Sequence, residues 1–147
     1  MEEGQLQFLR DLSWPETAIL SALIIKKNWL DLILDGSKTW QIRGNATIKR
    51  GRIALIESRS GTVVDVAELA GVIGPLSRAE FARNHRKAGL LQPPTSLPYK
   101  RTFAWVLRNA VRLKKPVAYK HPAGAVIWVT LPPFVEREMG LELRLEA

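Results

Sequence analysis

The chain has 147 residues, 46% hydrophobic and 24% charged, a size and balance that describe one globular domain and exclude a disordered chain. It has no cysteine, which excludes disulfides and thiolate chemistry. Its formal charge of +8 is uneven: residues 1–16 carry −3 and residues 134–147 carry −2, so residues 17–133 carry +13. A body that basic attracts polyanions through phosphate neutralisation and counterion release.

No uninterrupted apolar run approaches the roughly 18 residues of a membrane span. The opening Met1-Glu2-Glu3 lacks the basic and apolar regions of a secretory signal, so the expected compartment is the cytoplasm. In chain order, residues 1–16 read as an N-terminal extension, 17–133 as the domain, and 134–147 as a C-terminal tail.

Ala22 to Lys26 is a short apolar run suited to a buried strand. Asn28 can cap a helix that follows, with Trp29, Leu32 and Ile33 on one face. Gly36 stands where a left-handed residue stops that helix. Arg52–Glu57 and Thr62–Ile73 read as a hairpin around Ser58-Arg59-Ser60-Gly61. The second strand carries Asp65 and Glu68 on opposite faces, so a bend or bulge is expected within it.

Ser77 and Glu80 have capping-box spacing, and Leu76 with Phe81 fits the hydrophobic staple. The helix they start is expected to run from about 78 to 88 and to end at Gly89. Residues 90–98, with three prolines, read as a loop. Strands are expected over 102–107 and 111–117, joined by Arg108-Asn109-Ala110, and over 125–131, where Pro132 and Pro133 end the run. Five to seven mostly antiparallel strands with two or three helices define an α+β chain that can form a small β-barrel.

Residues 36–43 read Gly-x-Lys-x-x-Gln-x-Arg. This resembles the Gly-x-Lys-x-x-Glu-x-Arg signature of the ASCH family, a group of PUA-like β-barrel modules that handle RNA or modified bases. Later blocks carry the resemblance across residues 20–131, among them Arg50–Leu55, Phe103–Leu107, Pro116–Lys120 and Gly124–Trp128. It implies a basic cleft with Lys38 at its centre, able to bind phosphate or polarise a carbonyl. Without it, Lys38 reads as a solvated turn residue beside a helix C-terminus.

Arg43 offers a planar donor fork to a phosphate or base edge, or an ion-pair partner to Glu57 or Glu68. Gln41 departs from the family pattern. Its amide cannot act as a base or nucleophile, but it can hydrogen-bond a nucleobase. Some family members hydrolyse N4-acetylcytidine with a lysine, a threonine at the position of Gln41, and a glutamate. Here Thr39 lies two residues away on the same strand face. Hydrolysis, or metal-independent ribonuclease action of the kind ascribed to some family members, would therefore rest on Lys38 with Glu68 or Ser58.

Trp40, Trp105 and Tyr119 can stack on an unpaired base or serve as core, whereas Trp29 and Trp128 read as core. Arg50, Arg52, Arg59 and Lys120 are the remaining candidate phosphate contacts. His85 and His121 lack metal-ligand spacing, so neither metal nor cofactor is expected. The partner expected is RNA or a modified nucleoside or nucleotide, read in single-stranded form; a protein-interaction module is the third alternative.

Overall fold

A strand made of a continuous apolar run requires cover on both faces, and two such strands organise this chain. They are β1 (Ser21–Ile25) and β3 (Gly51–Glu57), paired in parallel at the middle of a curled sheet. The computed structural model describes residues 21–146, with side chains to residue 143, so the expected N-terminal extension lies outside the described residues. Leu23, Ile25, Ile53 and Leu55 face the helix α1 (Lys27–Asp35), where Leu30 and Ile33 cover them. Ala22, Ala54 and Ile56 face the opposite way, toward α3 (Pro133–Glu146).

The other strands are β2 (Trp40–Arg43), β4 (Thr62–Ile73), β5 (Phe103–Ala118) and β6 (Trp128–Thr130), and α2 (Arg78–Arg83) follows β4. The sheet order is β2-β5-β4-β3-β1-β6, antiparallel except for β1 beside β3. This is an α+β half-barrel of six strands and three helices among the described residues, as the element pattern anticipated. The terminal strands β2 and β6 do not pair with each other.

Several details differ from the sequence reading, each for a local reason. Lys26, not Asn28, occupies the cap position of α1, and no side chain caps the helix; Asn28 lies exposed in its first turn. The capping box at Ser77 and Glu80 forms, and Leu76 and Phe81 are buried together, yet α2 ends at Arg83. Turns then carry the chain to Gly89, whose φ is +81°. The two strands expected at 102–107 and 111–117 are one long β5, in which Asn109 takes a positive φ of 56°. An Asn tolerates that left-handed conformation, and register shifts on the β4 side absorb the extra residues. The last strand shrinks from 125–131 to Trp128–Thr130.

Residues 134–146 do not trail from the domain. Val135, Met139 and Leu143 recur at helical spacing and are buried against the face of the sheet opposite α1, where Val135 and Met139 are wholly inaccessible. A Met139→Ala substitution should therefore lower unfolding stability by about 2–5 kcal/mol, measured by urea or thermal denaturation. A loosely attached tail would leave the midpoint unchanged.

Candidate nucleic-acid interface

The candidate interface begins where α1 stops. Gly36 takes φ +86° and donates its N–H to the Ile33 carbonyl, and Asp35 accepts the Ser37 N–H at 2.8 Å. Lys38 N–H then returns to Leu32 O at 3.0 Å, turning the lysine side chain inward. Lys38 is only 3% exposed. Its ammonium donates to Trp40 O at 2.7 Å and to Ala88 O at 2.6 Å, and lies 4.6 Å from the centre of the Trp29 ring. Of the three N–H donors on an ammonium, two are thus committed to backbone carbonyls. Burial, and secondarily the charge of Arg43, push the Lys38 pKa down to about 8.

The segment that Lys38 grips is strapped to β2 in other ways. Lys87 O accepts both the Thr39 and Trp40 N–H groups at 2.9 Å. Gly89 completes the closure: a Cβ there would stand 3.2–3.3 Å from Leu32, Lys38 and Trp29, on a backbone with positive φ. Only a residue without a side chain lets the lysine stem and the indole pass.

Beside Lys38 lies a cavity of about 350 Å³, walled by Trp29, Ile42, Phe81, Leu90 and Tyr99, with Lys38 and Gln41 as its polar groups from β2 and the preceding turn. Gln41 is 8% exposed, and its Oε1 is buried without a hydrogen-bond partner. A buried acceptor left without a donor costs roughly 1–3 kcal/mol. A polar hollow of about 260 Å³ adjoins, sharing Trp29, Gln41, Ile42 and Tyr99 and adding Arg43, Lys26 and Ser58.

Arg43 reaches across this hollow. Its Nη2 donates to Ile24 O at 2.9 Å, joining β2 to β1 over the gap that the sheet leaves open. Its Nε is buried without a partner, and burial lowers the guanidinium pKa. Trp105 stacks on Trp128 at 5.6 Å across the same seam and donates its Nε1–H to Asn45 O. The ion pairs weighed for Arg43 do not form; Glu68 is taken by Arg108 at 2.7 Å.

The expected site residues therefore separate. Lys38, Gln41 and Arg43 come together. Trp40 is buried in the α2 cluster beneath the Lys87 ammonium, so its ring is not presented to a base. Glu68 stands opposite Arg52 in the β3–β4 ladder, on the α3 side of the sheet and outside the walls of the Lys38 cavity. Arg52 is itself buried there, where burial lowers its pKa to about 10 and the nearby Glu136 opposes the shift. Arg50 is exposed and ties down its own loop through Thr47 O and Lys49 O. Arg59 and Tyr119 line a further hollow of about 660 Å³ that shares Ile24, Ser58 and Val126 with the polar hollow but does not reach Lys38 or Gln41. There the Tyr119 hydroxyl meets His121 Nδ1 at 2.7 Å, and Lys120 is exposed beside it.

Two cavity residues were missed by sequence reasoning. Trp29 was assigned to the core, but it is half-buried with its ring under the ammonium. Tyr99 lies just beyond the proline-rich loop, borders three of the recesses and packs on Gly44, where a Cβ would stand 2.9 Å from its ring. The available signal was an aromatic residue immediately before Lys100 and Arg101.

Residues 23–117 match the ASCH domain. The chain belongs to the ASCH family. That family is PUA-like and RNA-associated. Among solved structures, the fold is similar to that of an ASCH protein from Zymomonas mobilis, with a TM-score of 0.61, 16% identity and coverage of 85% of this chain and 93% of that one. A substituted form of the same protein gives 0.62 at 16% identity, covering 84% and 94%. At such identity the likeness concerns the fold. Comparison with curated proteins gives no match. No helix among the described residues is long and apolar enough to cross a membrane.

Gly89→Ala tests the strap directly. Forcing a Cβ into positive φ against three side chains should destabilise the domain by about 1–3 kcal/mol, read from the denaturation midpoint; an unchanged midpoint would show that the segment relaxes freely.

Proposed function

We propose that this ASCH domain binds RNA or a modified nucleotide, holding one unpaired base in the cavity beside Lys38. The observation that carries the reading is a cavity lined by both Lys38 and Gln41, the latter with a buried Oε1 that has no hydrogen-bond partner. An acceptor without a donor suits a base edge bearing an exocyclic amine, while Trp29 and Tyr99 give apolar ring surface. Lys38 and Arg43 supply positive charge for a phosphate or base carbonyl, and the +13 body supplies long-range attraction. A cavity of this size admits a flipped or single-stranded base and not a paired one.

The measurement is nucleotide and RNA binding across a salt series. Lys38→Ala and Gln41→Leu should each weaken binding by about 1–3 kcal/mol, and uridine nucleotides, lacking an amine, should bind more weakly than cytidine or adenosine nucleotides. Wild-type affinity in both variants at every salt concentration would remove the proposal.

A proton is part of the reading. Lys38 carries its charge below a pKa of about 8 and loses it above. Affinity should hold from pH 6 to 7.5, then fall toward tenfold per pH unit above about 8, the limit for one required proton. Lys38→Met should abolish that inflection as well as weaken binding. A wild-type pH profile that stays flat to pH 10 would contradict a role for the ammonium.

The lysine pKa of about 8 also favours a second reading, hydrolysis of an acylated cytidine or of RNA, since a readily deprotonated amine can act as a base or nucleophile. Glu68, its expected partner, is ion-paired elsewhere, which leaves Ser58, on the wall of the adjoining hollow, as the remaining assistant. Incubation with N4-acetylcytidine and with labelled RNA separates the two readings. Product that disappears in Lys38→Ala supports catalysis, and no product supports binding alone.

A further inference from the structure

On the other side of Arg43 from the base cavity, the open seam widens into a groove of about 910 Å³. It runs along the 44–49 loop, with Trp105 and Trp128 on one wall and the 99–101 segment on the other. Arg43, Lys49, Lys100 and Arg101 line it, with no carboxylate among the described residues that do. Four cations without a counter-charge are an electrostatic cost to the folded chain, which a polyanion laid in the groove would relieve.

The aromatic wall is built for stacking. Trp105 covers one side of Trp128 at 5.6 Å with planes 17° apart, and the Lys49 ammonium lies 5.2 Å from the Trp128 ring centre. Trp128 remains partly exposed, although Trp105 is 2% exposed. At the rim, Ile48 is 97% exposed, an apolar side chain that the fold leaves uncovered. Tyr99 and Arg43 line both this groove and the hollow beside Gln41, so the two spaces adjoin across these side chains.

We infer that this groove is a second subsite for single-stranded RNA: the nucleotide next to the one in the cavity stacks on Trp128, and its phosphates lie along Lys49, Lys100 and Arg101. The incoming base takes the place of the Lys49 ammonium over the indole, and the ammonium moves to the phosphate. Sequence tolerance is expected here, because every base presents a π-face and the groove's side chains offer charge and ring surface without a fixed pattern of acceptors. This inference rests on the single-base reading above and extends it to a run of nucleotides.

The test compares nucleoside 5′-monophosphates with single-stranded tri- and hexanucleotides, and with duplex RNA of the same sequence, by titration calorimetry or fluorescence. In the wild type, the trinucleotide should bind roughly 5- to 150-fold more tightly than the monophosphate, the worth of one stacked base. That ratio should collapse toward one in Trp128→Leu and fall clearly in the double variant Lys100→Ala/Arg101→Ala, which keeps the ring but loses two phosphate contacts. The double variant alters only exposed side chains, so it keeps the test open if the tryptophan variant fails to fold. Its slope of log affinity against log salt should be shallower by about 1.4, from two lost phosphate contacts on a single strand.

A wild-type ratio near one, a ratio that persists in the double variant, or duplex binding as tight as single-stranded binding would each overturn the second subsite. The first two leave the cavity reading intact if monophosphates still bind and still respond to Gln41→Leu. Oligonucleotide binding that depends on Trp128 and Lys100/Arg101, without monophosphate binding, supports the groove and sinks the cavity reading.

Discussion

The sheet does not close, and much of the candidate interface follows from that. A barrel with a complete ladder satisfies its edges through backbone hydrogen bonds and leaves its interior for side chains. Here β6 is only Trp128–Thr130, and the Ile24 carbonyl of β1 accepts a guanidinium proton from Arg43. The stack of Trp105 on Trp128 spans the same gap. Side chains, unlike ladder hydrogen bonds, bridge a seam while leaving hollows between them. The cavity beside Gln41, the polar space under Arg43 and the groove along the 44–49 loop adjoin one another along this opening.

Lys38 shows how a buried charge can serve both fold and site. Two carbonyls and an indole face replace the water it loses, and one of those carbonyls belongs to Ala88, fifty residues away. The ammonium therefore binds the 84–89 segment to β2 and, with it, one wall of the cavity. Desolvation still dominates its titration, which is why its pKa falls despite these partners. A group so placed is preorganised, since its geometry is already set when a ligand arrives.

The opposite face of the sheet has a different character. Arg52, buried near Glu136, and the Glu68–Arg108 pair lie on the side covered by α3. Basic residues that look equivalent in the chain thus divide between a structural face and an open seam. Strand parity makes the division: Arg52 alternates with Ile53 and so points away from α1.

Much was legible in the residues themselves. Gly36 as a helix stop, the capping box at Ser77 and Glu80, the hairpin at 58–61 and the two-faced apolar runs of β1 and β3 are local facts of spacing and backbone freedom. They were enough to indicate an α+β chain able to form a small β-barrel, with the Gly36–Arg43 segment at a helix–strand turn; that the sheet stays open was not among them. The outcome for Trp40, Trp29, Tyr99 and Glu68 could not be read that way. Whether a ring lies in a core or over a recess, and whether a carboxylate meets a lysine or an arginine, depends on which strands become neighbours. Contacts such as Lys38 to Ala88 and Trp105 to Asn45 join residues fifty and sixty positions apart. Such distances along the chain are set by topology rather than local pattern, so the amino-acid order determined the elements and the tertiary structure alone decided which side chains border the opening.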